Sequence, residues 1–284
     1  GQTWSWVDGA PGIVGTGAAL SRDFGVPGNE APYNWDPRKG PTALSLPALY
    51  RAQSMEPVQR FRGSREAFLS TDGDGIWSGR LVEGADGSER AVWDAPGHQA
   101  SDISLSSGEP TALLHLGGGN VLAGSRAAGL YRSADGGRTW VQAAGAGSLP
   151  RGGEQAIHQL RQAGEGGALF AGLSDGVWNS QDSGRTWRRL GGPAPARALA
   201  LSPDFARDRR LYASGQVSTD GGEQWTPLAG PVAAYPWSAV AISASFAQDG
   251  LIFAALDIPE EDRSANPWPL WRSSDRGQSW EAVQ

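Results

Sequence analysis

Serine and aspartate recur two residues apart at four places in this chain, a pairing that could do chemistry. The four eight-residue motifs read SADGGRTW, SQDSGRTW, STDGGEQW and SSDRGQSW, and they begin at Ser133, Ser180, Ser218 and Ser273. Both side chains can also accept backbone N–H bonds within a tight turn. A motif written four times, each time with a glycine and a closing tryptophan, favours a repeated structural turn over a single active site.

The positions of the motif have separate expected roles. Glycine takes a backbone conformation that other residues resist, and the tryptophan packs back over the turn and buries a large ring. We expect the tryptophan to lie on the strand that follows the turn. The residues assigned this structural role are Ser133, Asp135, Gly137, Trp140, Ser180, Asp182, Gly184, Trp187, Ser218, Asp220, Gly222, Trp225, Ser273, Asp275, Gly277 and Trp280.

The spacing of the motifs predicts the elements that carry them. The closing tryptophans are 47, 38 and 55 residues apart, and each interval contains short runs rich in Val, Leu, Ile and aromatic residues between Gly-rich turns. In one repeat these runs are 155–160, 168–173, 176–181 and 185–190. Four strands per repeat at this period predict the blades of a β-propeller, and no window has the length and periodicity of a helix.

Weaker copies extend the count towards the N-terminus. The segment 85–93, which ends at Trp93, resembles a decayed motif, and Gly1–Trp4 resembles the tail of another. We therefore predict one all-β domain over 1–284, a β-propeller of four-stranded antiparallel blades, with six blades and an orphan strand in this chain and seven blades when complete; six is the second choice. Two interruptions are predicted, an insertion at about 21–57 and a long loop at 256–269.

The pattern Ser-x-Asp-x-Gly-x-Thr-Trp resembles the Asp-box, or BNR repeat. That family includes sialidases, xyloglucanases, sortilin-type receptors and photosystem II assembly factors. The segment 201–215 is similar to the first-to-second strand region of bacterial Asp-box propellers. The resemblance implies that the motifs lie at third-to-fourth strand turns on the periphery, away from a central site.

Composition and charge limit the function classes. The net charge of −6 argues against nucleic acid as the main partner, because phosphate binding needs a basic face. The chain has no cysteine, which excludes disulfides and thiolate catalysis, and no apolar run long enough to span a membrane. We expect a bacterial protein that is secreted, periplasmic or on the cell surface, whose signal peptide is absent from this sequence.

The residues do not assemble into a known catalytic set. The sialidase resemblance implies a Phe/Tyr-Arg-Ile-Pro segment and a Tyr–Glu pair; the nearest match, 61–64, lacks Ile-Pro. A glycosidase of another kind needs two facing carboxylates, which spacing alone does not pair. The candidates are Asp102, Glu109, Glu154, Asp257 and Glu260. We therefore assign no catalytic residue.

Metal and cofactor sites are not indicated. Asp72 and Asp74 suggest a calcium loop, but the later ligands and the distal glutamate that such a loop needs are missing. The three histidines, His98, His115 and His158, occur singly, without metal-ligand spacing. We expect no cofactor and no metal.

The variable loops are the better candidates for function, because binding residues concentrate on loops held by a rigid scaffold. Aromatic residues beside carboxylates suit protein docking or sugar stacking. The candidate binding residues are Tyr235, Trp237, Glu260, Glu261, Asp262, Arg263 and Trp268.

Three functions follow from this interpretation. The first is a non-catalytic extracytoplasmic binding or scaffold module for a protein or glycan partner. The second is a carbohydrate-active hydrolase with carboxylates on the loop-bearing face, the face with the second-to-third strand and blade-to-blade loops, opposite the motif turns. The third, by analogy with the assembly factors, requires a basic stripe that this acidic chain does not display.

Overall fold

The structure is a computed structural model. It describes residues 52–57, 66–71, 75–83, 89–94, 110–126, 128–137, 139–143, 147–150, 155–164 and 166–283. The chain divides into two compact units between Gln142 and Ala143. In both units the strands of each sheet follow one another in sequence and pair antiparallel with their neighbours.

The first unit contains two four-stranded sheets. The first sheet is formed by β1 (Ala52–Pro57), β2 (Glu66–Thr71), β3 (Gly75–Glu83) and β4 (Glu89–Asp94). The second sheet is formed by β5 (Pro110–Gly117), β6 (Asn120–Ser125), β7 (Leu130–Ser133) and β8 (Val141–Gln142). Strand β1 occupies the last six residues of the predicted insertion at 21–57.

The second unit contains three sheets of the same kind. The third sheet is formed by β9 (Ile157–Gln162), β10 (Leu169–Leu173), β11 (Gly176–Ser180) and β12 (Arg188–Gly191). The fourth is formed by β13 (Leu199–Leu201), β14 (Leu211–Ala213), β15 (Gln216–Ser218) and β16 (Thr226–Pro227). The fifth is formed by β17 (Trp237–Ile242), β18 (Ile252–Leu256), β19 (Leu270–Ser273) and β20 (Glu281–Ala282).

Helical structure in the described residues is confined to single turns. Two four-residue helices, α1 (Phe205–Asp208) and α2 (Phe246–Asp249), lie between the first and second strands of the fourth and fifth sheets. Two 3₁₀ turns cover Pro231–Ala233 and Glu260–Asp262. Within the same residues no helix is long and apolar enough to cross a membrane.

The core of the second unit is built by packing neighbouring sheets against each other. Phe170 of the third sheet meets Phe205 of the fourth edge to face, with ring centroids 5.2 Å apart. Tyr212 and Phe246 make the same contact between the fourth and fifth sheets at 6.1 Å. Each buried ring of this kind stabilises the fold by about 1.5–3 kcal/mol.

The strands predicted at 155–160, 168–173, 176–181 and 185–190 overlap the four strands of the third sheet, because the pattern of short apolar runs between glycines is local. One detail is wrong. Each closing tryptophan precedes the fourth strand instead of lying in it, since its indole N–H bonds back to the glycine carbonyl of the turn. Five four-stranded sheets lie in the described residues, whereas Gly1–Trp4 lies outside them, so the blade count and the single-domain organisation stay predictions.

Candidate functional site

The four motifs form four nearly identical turns, here called the Ser-x-Asp turns (133–140, 180–187, 218–225 and 273–280). Each begins at the last residue of a third strand and leads into the fourth. In every turn the serine hydroxyl donates to the aspartate Oδ1 at 2.8 Å. The same serine Oγ accepts the N–H of the glycine four residues later at 2.8–2.9 Å.

The aspartates complete the turns by accepting hydrogen bonds from residues that follow the motif glycine. Asp182 accepts the backbone N–H of Thr186 at 2.8 Å and its hydroxyl at 2.6 Å. These bonds, with those from Ser180 and Arg185, lower the pKa of Asp182 from 3.8 to about 2. The hydroxyl and N–H of Ser279 lower the pKa of Asp275 to about 2 in the same way.

The third turn lacks one of these bonds. Gln224 stands where the other turns have threonine or serine, so Asp220 accepts backbone N–H groups from Glu223 and Gln224, each at 3.0 Å. Those bonds and the Ser218 hydroxyl still lower the pKa of Asp220. Turn formation therefore does not require the hydroxyl, although three copies contain it.

Two consecutive left-handed residues reverse the chain in each turn. The second is always glycine, as at Gly184 (φ +80°) and Gly222 (φ +97°). The first is glycine in two turns but Ser183 (φ +59°) and Arg276 (φ +63°) in the others. In the third and fourth turns its backbone N–H reaches the first-to-second strand connection: Gly221 N–H donates to the carbonyl of Arg209 at 3.0 Å, and Arg276 N–H to that of Gly250 at 3.0 Å.

The third and fourth turns also pack against the sheet that precedes theirs in the chain. A Cβ at Gly222 would lie 2.6 Å from the Leu190 Cδ1 of the preceding sheet, and one at Gly192 would lie 2.8 Å from the Trp225 ring. In the fourth turn the Tyr212 hydroxyl of the preceding sheet donates to the Arg276 carbonyl at 2.9 Å. The serine Oγ and the aspartate Oδ1 of every Ser-x-Asp turn are engaged in bonds within the turn.

The predicted binding residues lie around one connection, here called the acidic loop (257–269), which joins β18 to β19. Ile258 is buried in the core, and Asn266 Nδ2 donates to the Tyr235 hydroxyl at 3.0 Å, so both halves of the loop are held. Burial raises the pKa of the Tyr235 hydroxyl, and the nearby Asp262 raises it further by a smaller amount. The Arg263 Nε donates to the Ile258 carbonyl at 3.2 Å and closes the first half.

The exposed residues of this loop could contact a partner. Glu260, Glu261 and Arg263 are exposed, Asp262 is half-buried, and Trp268 is 41% exposed. Trp237 is different: it is 0% exposed, its indole N–H donates to the Val232 carbonyl at 2.7 Å, and it belongs to the core. Its assignment as a binding residue is therefore wrong, because an alternating strand turns this ring inward.

The other candidate residues for catalysis or metal binding that the structure describes are not grouped into one site. The Nε2 atom of His158 is 3.2 Å from the Ser174 hydroxyl. His115 also lies within the described residues, in strand β5. Within the part of the chain that the structure describes, no three His, Asp or Glu side chains are grouped to hold a metal ion. Several candidates lie outside the described residues: 61–64, Asp72, Asp74, His98, Asp102, Glu109 and Glu154.

A second repeated motif was missed by the sequence analysis. Ser202 precedes α1 and Asp208 is its last residue, and Ser243 and Asp249 have the same positions at α2, within the pattern Ser-x-x-Phe-Ala-x-Asp. The serine hydroxyl donates to the aspartate at 2.7 Å in the first copy and 2.6 Å in the second. The signal was present as two copies 41 residues apart, but the resemblance rested on the first segment, 201–215, alone.

Comparison with known proteins identifies the fold. No protein-family model matches the chain, and no curated protein does. Among solved structures, it is similar to an ancestral GH74 enzyme with a TM-score of 0.55 and 15% identity, over 82% of this chain and 31% of that one. A GH74 xyloglucanase from Xanthomonas campestris gives 0.50 and 20%, over 82% and 38%.

A third similar structure is YCF48 bound to D1 peptide, with a TM-score of 0.51 and 14% identity, over 81% of this chain and 72% of that one. The fold is that of a β-propeller protein. At these identities the similarity extends to the fold alone, and the chain spans about a third of the length of the two GH74 proteins.

Proposed function

We propose that this chain is a non-catalytic Asp-box propeller that acts outside the cytoplasm as a binding or scaffold module for a protein or glycan partner. The observation that supports this most is the acidic loop. It is the longest second-to-third strand connection of the described sheets, and the corresponding connection of the third sheet is only Ser174 and Asp175. It is held at Ile258 and Tyr235, yet presents carboxylates and an indole outward.

The energetics of a held loop support binding. A loop that is already ordered loses less conformational freedom when a partner arrives, and exposed tryptophan is a common anchor of interfaces. A similar propeller, YCF48, is known in a complex with a peptide. We assign the binding role to Tyr235, Glu260, Glu261, Asp262, Arg263 and Trp268, with Tyr235 positioning the loop.

A display experiment tests this role with unbiased ligand libraries. The purified chain is used to select binders from a random-peptide library and is applied in parallel to a glycan array. A surface variant carries Glu260→Ala, Glu261→Ala and Trp268→Ala. A control variant carries Arg185→Ala, Arg207→Ala and Glu223→Ala, exposed positions in the Ser-x-Asp turns or in α1.

We expect ligands that bind the wild type and the control variant and that lose binding to the surface variant. The proposal is wrong if no ligand is enriched, or if the enriched ligands bind the surface variant as well as they bind the wild type. Circular dichroism of all three proteins verifies that the substitutions leave the fold intact.

The second candidate, a glycoside hydrolase, is favoured by the similarity to the two GH74 enzymes. Asp257 and Glu260 are its best candidate carboxylates among the described residues. The test is release of reducing ends from xyloglucan and other β-glucans. Activity that co-purifies with the chain and disappears in Asp257→Asn or Glu260→Gln supports this candidate, whereas no release above a mock purification excludes it for these substrates.

A further inference from the structure

The acidic loop is held at both of its ends. At the first end the Asp257 N–H donates to the Pro236 carbonyl at 2.8 Å, and Ile258 is buried in the core. At the second end the Leu256 N–H donates to the Pro269 carbonyl at 2.7 Å. Both ends of the loop are therefore tied to the fifth sheet and to the segment that precedes it.

The residues between these ends, 259–267, are here called the apex. The hydrogen bonds within the apex are those of tight turns: the Asp262 carbonyl accepts the N–H of Ala265 at 3.1 Å and that of Asn266 at 2.9 Å. Single turns are unstable on their own, because fixing their backbone costs more than their few hydrogen bonds return. The order of the apex therefore depends on a contact with another part of the protein.

One hydrogen bond provides such a contact. The Asn266 Nδ2 donates to the Tyr235 hydroxyl at 3.0 Å, and Tyr235 lies in the segment between β16 and β17, outside the loop. The Tyr235 ring packs against the core of the second unit, and this packing fixes the position of its hydroxyl. Among the described residues, no other hydrogen bond joins the apex to an element outside the acidic loop.

We propose that the Tyr235 hydroxyl is a clasp for the apex. The loop is closed while the bond to Asn266 is made, and the apex opens without unfolding of the sheets when that bond breaks. This inference rests on the proposed function and adds its regulation, since the apex carries Glu260 and Glu261. A closed apex presents these carboxylates in one arrangement, which lowers the entropy cost of binding. The closed fraction of the loop then sets the affinity of a ligand that contacts the apex.

Hydrogen exchange, followed by NMR on the full chain, tests the clasp. The Ala265 N–H reports opening, because it exchanges with solvent when its bond to the Asp262 carbonyl breaks. Tyr235→Phe removes the hydroxyl and keeps the ring. We expect exchange at Ala265 to become about five-fold faster, the effect of one hydrogen bond. Exchange at Asp257 should stay unchanged, because its N–H is bonded at the held end of the loop.

Tyr212→Phe is the matched control for the loss of a tyrosine hydroxyl. The Tyr212 hydroxyl donates to the Arg276 carbonyl at 2.9 Å, at a Ser-x-Asp turn and not at the loop. We expect exchange at Ala265 to keep its wild-type rate in this variant. An unchanged rate in Tyr235→Phe, or the same increase in both variants, would overturn the inference.

Asn266→Ala removes the other partner of the bond and leaves the packing of the Tyr235 ring untouched. We expect the same acceleration of exchange at Ala265 as in Tyr235→Phe. The double variant should exchange no faster than either single variant, because both substitutions remove one shared bond. Fully additive effects would show that the two side chains act separately, and the clasp would then be wrong.

A ligand selected in the display experiment tests the regulation of binding. Its affinity for Tyr235→Phe should fall by no more than the factor by which exchange at Ala265 rises, because the clasp acts only through the closed fraction. A larger loss of affinity would show that the hydroxyl contacts the ligand itself, and it would contradict the positioning role.

The outcome also distinguishes this inference from the proposed function. If exchange at Ala265 rises as expected but display yields no ligand of the acidic loop, the clasp stands and the binding role is wrong. If ligands that depend on the loop are found but exchange is unchanged, the binding role stands and the clasp is wrong.

Discussion

At the scale of single residues, the four aspartates of the Ser-x-Asp turns have the same position but different donors. Asp182 and Asp275 accept a hydroxyl bond that Asp220 does not receive. The pKa of the first two falls to about 2 as a result. These turns therefore allow the contribution of a single hydrogen bond to be measured within one molecule.

Removal of the carboxylate should destabilise the protein in a pH-dependent way. We expect Asp182→Ala to lower the free energy of unfolding by about 1–2 kcal/mol at neutral pH, because the Thr186 hydroxyl and backbone donors lose their acceptor. The folded pKa of about 2 lies below the ordinary 3.8. The carboxylate's contribution is therefore complete above that ordinary value and is lost as pH falls towards 2.

The measurement is urea denaturation of wild type and variant between neutral pH and pH 2. Asp204→Ala is the control, since its carboxylate is 3.9 Å from the exposed Arg207 and takes no part in a Ser-x-Asp turn. A difference between wild type and Asp182→Ala that stays constant over this pH range would contradict the assigned cause.

The third turn should gain stability from the hydroxyl that it lacks. Gln224→Thr places a hydroxyl where Thr186 bonds Asp182 in the second turn, and we expect a gain of about 0.5–1.5 kcal/mol in unfolding free energy. Gln224→Val is the isosteric control, because it adds the same shape without the donor. If threonine and valine give equal stability by urea denaturation, the hydroxyl bond is not the cause.

At the scale of elements, the third and fourth turns pack against the sheet that precedes theirs in the chain. The glycine three residues before the closing tryptophan is needed for two reasons. Its backbone is left-handed, and the neighbouring sheet occupies the space that a side chain would need. Gly222 shows both, with φ at +97° and Leu190 Cδ1 at 2.6 Å from the position of a Cβ. Gly136 of the first turn is left-handed, with φ at +72°, but nothing lies within 4 Å.

We therefore expect Gly222→Ala to cost more than Gly136→Ala. The left-handed backbone costs about 1–2 kcal/mol in either variant. The contact with Leu190 adds about 1–3 kcal/mol in Gly222→Ala only. Chemical denaturation measures both, and the double variant Gly222→Ala with Leu190→Ala should recover part of the added loss. Equal costs for the two glycines would show that packing against the preceding sheet is unimportant.

At the scale of the whole molecule, the packing of neighbouring sheets decides which side chains are buried and which are exposed. Two tryptophans that the sequence analysis placed in one binding set differ in this respect. Trp237 packs between the fourth and fifth sheets and is 0% exposed, whereas Trp268 is 41% exposed on the acidic loop. The same residue type therefore serves the core at one position and the surface at the other.

Substitution of Trp237 should reduce the stability of the protein, whereas substitution of Trp268 should leave its stability nearly unchanged. We expect Trp237→Ala to lower the free energy of unfolding by about 3–5 kcal/mol, as for other large core truncations. Trp268→Ala should change it by less than about 0.5 kcal/mol. Thermal unfolding of both measures this, with Trp237→Phe as a milder core variant that keeps the protein folded. A large loss of stability in Trp268→Ala would remove that residue from the proposed binding surface.

The sequence by itself determined the repeat, the strands and the turns. The backbone N–H bonds that Ser180 and Asp182 accept from Gly184 and Thr186 join residues that lie within one motif of the chain, so they need no distant partner. Strand runs such as 168–173 are equally local, because alternation and flanking glycines need no distant partner.

Only the tertiary structure decided which side chains are available to a partner. Whether Trp237 is core or surface depends on Val232 and Trp280 and on the packing of two sheets. Trp268, by contrast, is 41% exposed on the acidic loop, and no local pattern distinguishes its tryptophan from the buried Trp237. Burial is set by contacts between residues far apart in sequence, and for that reason the site could not be read from the motif that first suggested chemistry.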